Sequence, residues 1–286
     1  MRIAVIGASG QVGTNLVRVL SKNNEVVALT HEAIDITDSD KARKILLRLR
    51  PEVVMNTAAY HKTDECEVNP EKSFSVNSIA VRNLALISKG IGSLLVHFST
   101  DYVFDGEKRE PYSENDRPNP VNVYGVSKLA GEVFVRNILG KHFIVRPSGV
   151  FGKAEKEGKE NFVVKMLRLA RERGKLRIVA DQTFSPTYAR DMSEKIAELL
   201  RTKEYGTYHI TNSGVCSWYE LAMAAFELAG VEVDVSPVKS DEFPSEARRP
   251  LFSVLENKRL SEAGLAGLRH WKDALADYLR EIGEAR

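Results

Sequence analysis

Short, unbroken apolar runs that alternate with longer segments of helical period predict an α/β protein. The expected architecture is a doubly wound parallel sheet of the Rossmann type with a smaller C-terminal α/β substrate domain. A glycine-rich turn follows the first apolar run at once, which puts a ligand at the carboxyl end of the sheet. The alternation loosens after Arg146, which divides the chain. The expected dinucleotide-binding domain is 1–150 with part of 176–204, and the expected substrate domain is 151–175 with 205–286.

Arg2–Gly7, Glu25–Thr30, Glu52–Asn56, Ser93–Ser99 and Phe143–Arg146 are rich in Val, Ile and Leu and read as strands. Between them, Gln11–Ser21, Ser39–Arg50, Asn69–Lys89 and Asn122–Leu139 read as helices, with Asp38 a helix N-cap. Right-handed crossovers then cover both faces of the sheet. Beyond Arg146 come a Gly- and Lys-rich loop, Gly152–Glu160, and a helix from Phe162. Leu176–Ala180 and Gly206–Ile210 read as strands, with a helix over Asp191–Arg201 between them. Ser217–Ala229 is a further helix, a Pro-punctuated stretch runs to Pro250, and a terminal helix covers Lys272–Arg286.

A chain of 286 residues buries a core large enough to need no disulfide or metal. Cys66 and Cys216 match no metal-ligand spacing and read as thiols in a reducing cytosol, so no metal site is expected. The opening run is too short for a signal peptide and no later run is long enough to span a bilayer. These features predict a cytoplasmic protein with no membrane partner. Lys and Arg total 41 against 39 Asp and Glu, a formal charge of +2, so nucleic acid is not an expected partner. The basic stretch Lys165–Arg177 reads as the solvated face of an amphipathic helix, or as a helix bordering a site for an acidic substrate.

Gly7-Ala8-Ser9-Gly10-Gln11-Val12-Gly13 closes the first strand and opens the first helix. Glycine there allows a tight turn, backbone approach to a pyrophosphate and close helix–strand packing, while the positive helix end faces the phosphates. Thr30 ends the second strand where an acid would bind the ribose hydroxyls of NAD. Its presence leans to NADPH, with His31 beside it, and Glu32 keeps NADH open. Asp35-Ile36 stands where the chain can pass an adenine ring.

Tyr124 and Lys128 lie four apart at the start of an expected helix, on one face. A free tyrosine titrates near pH ~10, and a neighbouring ammonium favours the phenolate. Tyr124 can donate to a carbonyl oxygen, Thr100 can supply a second hydrogen bond to it, and Lys128 can hold a nicotinamide ribose. Taken alone, such a pair is most often a surface feature; beside a glycine loop and a strand-end threonine it reads as catalytic.

These residues resemble the extended short-chain dehydrogenase/reductase superfamily, and within it the dTDP-4-dehydrorhamnose reductase family. The likeness runs through Gly7–Gly13, Asp35–Asp38, Asn56–Tyr60, Ser99–Gly106, Pro111–Glu114 and Val123–Glu132. It continues in Asn161-Phe162, Asp181-Gln182, Pro186-Thr187, Ser217-Trp218 and Arg249–Ser253. The resemblance implies reduction of the 4-keto group of a nucleotide-linked 6-deoxy sugar, with Thr100, Tyr124 and Lys128 as catalytic set. It implies Ala58, Ala59 and Tyr60 as cofactor wall and Asp101, Tyr102 and Arg249 as substrate-side groups. Ser99 and Pro147 complete the expected cofactor set. Sugar-nucleotide dehydratases place Asp-Glu after the threonine; Tyr102 cannot replace that carboxylate, so dehydration is not expected.

Two departures fall on the substrate side. In the stretch Arg146–Gly152, where the family commonly has a Trp, Gly149 leaves an aromatic platform missing. After Asn56, His61 and Thr63 replace the usual Thr and Val; His61 reads as a polar substrate contact or as an exposed loop histidine. Some relatives bind Mg²⁺ through acidic residues at a dimer contact; the matching acids are not assigned here, so Mg²⁺ stays open, as does a homodimer. A different class of function also stays open: a dinucleotide-binding regulatory partner resembling that of methionine adenosyltransferase. An epimerase would need a ring-carbon base, and none stands out.

Overall fold

Neighbouring parallel strands cannot be joined by a hairpin, so the chain must leave the sheet and return through a crossover. The computed structural model describes residues 1–155 and 160–285. Residues 156–159 of the expected Gly- and Lys-rich loop, and Arg286 of the expected terminal helix, lie outside the described residues. The first half runs β1 (Arg2–Ile6), α1 (Gln11–Leu20), β2 (Glu25–Leu29), α2 (Ser39–Leu49), β3 (Val53–Asn56), α3 (Thr63–Val68), α4 (Pro70–Phe74), α5 (Ala80–Ile91), β4 (Leu94–Phe98), α6 (Val123–Ile138) and β5 (His142–Arg146). The second runs β6 (Val150–Phe151), α7 (Phe162–Arg173), β7 (Lys175–Val179), β8 (Thr183–Phe184), β9 (Thr187–Tyr188), α8 (Ala189–Leu199), β10 (Gly206–His209), β11 (Cys216–Ser217), α9 (Trp218–Ala229), β12 (Asp234–Val238), β13 (Phe252–Ser253), α10 (Lys258–Glu262) and α11 (Trp271–Glu281).

The main sheet has six strands in the order β10-β5-β4-β3-β1-β2, and every pairing in it is parallel. Leu16, Leu20, Met192, Ile196 and Leu199, from α1 and α8, fill one face. Ala42, Leu46, Val81, Leu84 and Ala85, from α2 and α5, fill the other. The doubly wound expectation holds. A second apolar cluster joins α7, α9 and α11 around Phe151, Leu167, Phe226 and Tyr278.

Three expectations need correction. Residues from 205 onward were assigned to the substrate side, yet β10 pairs with β5, Thr207 opposite Ile144, and completes the main sheet. Leu176–Ala180 was counted with the dinucleotide half, yet β7 pairs with β12 in a separate ribbon. A short apolar run does not reveal which strand it will neighbour. The single helix expected over Asn69–Lys89 is interrupted by a π-helical turn at Ser75–Ile79. There Asn77 leaves the helix surface to bridge Ser127 of α6 and the backbone of Tyr60.

The helix α6 is tied to β5 by Arg146 and Glu132, paired through two hydrogen bonds of 2.8 and 2.7 Å with both side chains buried. Burial raises the Glu132 carboxyl, but the Arg146 guanidinium outweighs it and holds the acid below its ordinary range. The basic face of α7 is solvated: Arg168 pairs with Glu160 and Glu172, and Arg171 with Glu284. Among the described residues, no helix is long and apolar enough to cross a membrane.

Candidate active site

The strand order reverses between β1 and β3, where the chain leaves the sheet in opposite directions and a crevice must open. The glycine loop occupies one side and Thr57-Ala58-Ala59 the other, within a cavity of about 790 Å³. Gly7 has φ +79, and a Cβ there would stand 2.6 Å from Thr57 Oγ1. A Cβ on Gly13 would meet Gly7 O at 2.2 Å, so only glycine lets α1 close onto the turn. Gly10 caps α1 without a side-chain hydrogen bond, and no acid lies in the first turn. The helix therefore presents free N–H groups and its positive end to the cavity. These features fit a dinucleotide pyrophosphate.

Asn122 starts α6 by accepting from Gly125 N–H, and donates to Arg248 O at 2.8 Å. A Cβ on Gly125 would stand 2.1 Å from Tyr102 O, so this glycine lets α6 press against the turn that follows β4. That contact brings Tyr124 to Thr100 and Tyr102, whose ring meets the Tyr124 ring edge-on at 6.1 Å. Burial pushes the Tyr124 phenol well above its ordinary value, with a hydrogen bond to Thr100 acting the other way. Lys128 is buried and donates from Nζ to Phe98 O. Burial lowers its ammonium to about 8, partly opposed by Glu132. Lys128 was expected to pull the Tyr124 phenol down; in this structure burial dominates both groups.

Thr100 Oγ1 accepts from Tyr102 N–H and donates to Asp101 Oδ1, both at 3.1 Å. Its single proton is thus given to Asp101, and a hydrogen bond to a substrate oxygen requires exchange of that bond. Asp101 also accepts from Ser148 at 2.7 Å and Ser253 at 2.6 Å. Burial raises its carboxyl despite these three hydroxyl donors. Asp101 lines the cavity, but its oxygens serve to join β4, the segment after β5, and β13.

The cavity gathers Gly7, Ser9, Gly10, Gln11, Val12, Gly13, His31, Ala58, Ala59, His61, Ser99, Thr100, Asp101, Tyr102, Tyr124, Lys128 and Pro147, all expected from sequence. Five expected residues do not line it. Thr30 spends its carbonyl on the turn that ends β2, and Ile36 is a core residue. Asp35 accepts from the N–H and hydroxyl of Thr37. Tyr60 donates its hydroxyl to Glu65 at 3.0 Å. Arg249, expected on the substrate side, is paired with Asp64 at 2.8 Å. Asp35, Tyr60 and Arg249 each give the side chain to a protein partner, Thr30 gives its carbonyl, and Ile36 packs in the core.

Sequence reasoning missed cavity residues that arrive from far along the chain: Gln182, Phe184, Trp218, Pro250 and Ser253. Gln182, Trp218, Pro250 and Ser253 were signalled only by membership of short motifs without an evident chemical task, and Phe184 by nothing in the sequence. His61 is exposed on the rim, which is compatible with either of its readings.

A model of the RmlD substrate binding domain matches residues 1–283. The chain is 40% identical to the spore coat polysaccharide biosynthesis protein SpsK of Bacillus subtilis (strain 168), over 99% of each chain. It is 39% identical to the dTDP-4-dehydrorhamnose reductase of Mycolicibacterium smegmatis, covering 98% of this chain and 86% of that one. Among solved structures, the dTDP-4-dehydrorhamnose reductase from Bacillus anthracis in complex with NADP superposes with a TM-score of 0.94 at 38% identity, covering 98% and 99% of the two chains.

Proposed function

The chain belongs to the RmlD substrate binding domain family, and from that premise we propose that it is an NADPH-dependent reductase of a nucleotide-linked 4-keto-6-deoxy sugar, dTDP-4-dehydrorhamnose, forming dTDP-L-rhamnose. The observation that carries the reading is the meeting of Thr100, Tyr124 and Lys128 in the cavity that also holds the glycine loop. In our reading Gly7, Ser9, Gly10, Gln11, Val12 and Gly13 hold the pyrophosphate, His31 stands at the adenosine end, and Ala58, Ala59, Ser99 and Pro147 wall the dinucleotide. The bound nicotinamide supplies hydride. Tyr124 donates the proton to the sugar carbonyl oxygen; its raised value keeps the phenol protonated at neutral pH. Lys128 stays largely charged below about pH 8 and holds the nicotinamide ribose while favouring the phenolate left on Tyr124. Thr100 orients Tyr124, with Asp101 fixing the threonine.

The preference for NADP(H) has a structural support at the end of β2. The cavity wall there is His31, while Glu32 and Asp35 lie outside the lining. A carboxylate facing the ribose would repel a 2′-phosphate. We place the enzyme in the cytoplasm, where both free thiols, Cys66 and Cys216, remain reduced.

The test is a spectrophotometric assay of NADPH and NADH with dTDP-4-dehydrorhamnose and related 4-keto sugar nucleotides. Turnover with NADPH, slower with NADH, is expected. Retained dinucleotide binding with no turnover on any keto sugar would abandon the reductase and return the regulatory-partner reading.

A further inference from the structure

Lys128 and Glu132 lie one turn apart on α6 and are both buried, at 1% and 0% exposure. That spacing puts them on one face of the helix. The Lys128 ammonium donates to Phe98 O, a neutral carbonyl, and a charge taken out of water needs an opposite charge as well. Of the acids that approach α6, Asp101 spends both oxygens on Thr100, Ser148 and Ser253. Glu67 accepts from Val123 N–H at the first residue of the helix. Glu132 is the acid that acts on Lys128, raising its value against burial. The Glu132 carboxylate also takes two hydrogen bonds from buried Arg146 and one of 3.1 Å from Arg136.

The other titratable groups add no buried charge. His97 precedes Phe98 on β4, and burial together with the Lys128 charge holds its imidazole well below the ordinary value. His209 stands beside Arg146 and is held down in the same way, and burial lowers His142 of β5. Burial raises Tyr124 on α6, Tyr102 after β4 and Cys66 on α3, so these stay protonated and neutral. The charges of α4 and α5, Glu71, Lys72, Arg82 and Lys89, are exposed. Lys128, Glu132 and Arg146 thus form a buried cluster of two cations around one carboxylate.

We propose that Glu132 is a positioning residue for the dinucleotide site: its carboxylate, anchored by Arg146, is the counter-charge that keeps Lys128 in the form that binds the nicotinamide ribose. The inference rests on the reading above, in which Lys128 holds that ribose. A joint between α6 and β5 needs no charge for its own sake, because an apolar pair of similar volume in place of a buried ion pair is often neutral or stabilising. Lys128 gives the pair a second task. One carboxylate serves two cations, Arg146 for the fold and Lys128 for the ligand.

Calorimetric titration of NADP⁺ from about pH 5.5 to about 9.5 tests this without turnover. In the unsubstituted protein, affinity should fall as pH rises through about 8. In Glu132→Gln that inflection should move down by about one to two pH units, the effect of a unit charge one helical turn away at intermediate dielectric. Affinity should then be about 3- to 20-fold weaker near pH ~7.5 and close to unsubstituted near pH ~5.5, following the charged fraction of Lys128. Titration of the 2′-phosphate is common to all variants and cancels in their ratio. Because Glu132→Gln leaves Arg146 buried alone, the double variant Glu132→Gln/Arg146→Met is measured beside it. The double variant makes the joint uncharged, and its inflection should also fall, because the carboxylate facing Lys128 is gone. An inflection that stays near 8 in either folded variant overturns the proposal. So does a loss of affinity that is equal at every pH, which marks a packing role. If the unsubstituted protein shows no inflection that Lys128→Met abolishes, the reading of Lys128 falls and takes this inference with it; if that inflection is present and the Glu132 variants do not move it, only the inference falls.

Discussion

The glycine loop beginning at Gly7 and the aromatic cluster built on Phe184 line one cavity, yet the chain assembles them in opposite ways. The loop is local: one strand end, one turn and one helix start, with Gly7 and Gly13 six residues apart along the chain and fitted to each other by backbone contact. The cluster is distant: Phe184 needs Gly149, Trp218 and Ser253, brought in by three separate small pairings. Tyr124 and Lys128 sit between these regimes. Their spacing is local, but the press of Gly125 on Tyr102 O decides where they point. On the proposed reductase reading, substitutions on the local side should remove chemistry or cofactor, whereas substitutions on the distant side should act on sugar-nucleotide binding.

The sharpest test of that division removes one oxygen. Tyr124→Phe should lower kcat by about 10²–10⁴-fold, the usual contribution of a positioned proton donor. NADPH affinity should persist, as measured by fluorescence titration. A variant with unchanged kcat would separate Tyr124 from proton transfer.

Next in size is the joint between α6 and β5. Glu132→Gln leaves Arg146 buried beside His209 without its carboxylate partner. Removing one member of a buried pair costs about 3–5 kcal/mol. Denaturant unfolding should show a loss of that order, and NADPH affinity should fall with it because α6 also carries Lys128. A loss below about 1 kcal/mol, the range of exposed pairs, would mean the pair is solvated.

Lys128 offers a pH test of the cofactor side. Its folded value, about 8, lies below the ordinary lysine value of 10.5 because of burial. The ammonium is present below about pH 8 and is lost as pH rises through it. NADPH should therefore bind more weakly above about pH 8, and Lys128→Met should bind weakly at every pH with the inflection gone. A titration that stays flat from pH 7 to about 10 in the unsubstituted protein would remove Lys128 from cofactor binding.

What the sequence made legible follows the same division. Strand identity was readable because β3 and β5 are buried along their length, with unbroken apolar runs at Val53–Met55 and Phe143–Val145. The glycine loop was readable because its steric demands lie within one turn. The place of Gly206–His209 in the main sheet was not, since pairing partners are set by the packing of α8 on α1 and not by the strand's own residues. The absent aromatic at Gly149 was visible as a gap, but Phe184 as its occupant was not, because the two residues meet only after β8 forms beside β13. Asp101 was legible as part of a motif, while its task as acceptor for three hydroxyls needed Ser148 and Ser253 in place.

Arg249 gives the smallest effect and the finest probe of the distant side. As a bare motif residue it suggests a diphosphate ligand, yet its guanidinium donates to Asp64, which also accepts from Ser245 and Ala247. Burial raises the Asp64 carboxyl, but these donors outweigh it and lower it from 3.8 to about 2. A folded value below the unfolded one means the pair contributes stability above about pH 4 and loses it as pH falls through about 2. It is thus intact at any assay pH. Both side chains are partly solvated, so Arg249→Ala should change stability by about 1 kcal/mol or less. If the guanidinium stays on Asp64, sugar-nucleotide KM should barely move in Arg249→Ala or in Asp64→Asn. A KM that rises in Arg249→Ala and falls in Asp64→Asn would instead show that substrate draws Arg249 away from Asp64, and that the distant side rearranges on binding while the glycine loop does not.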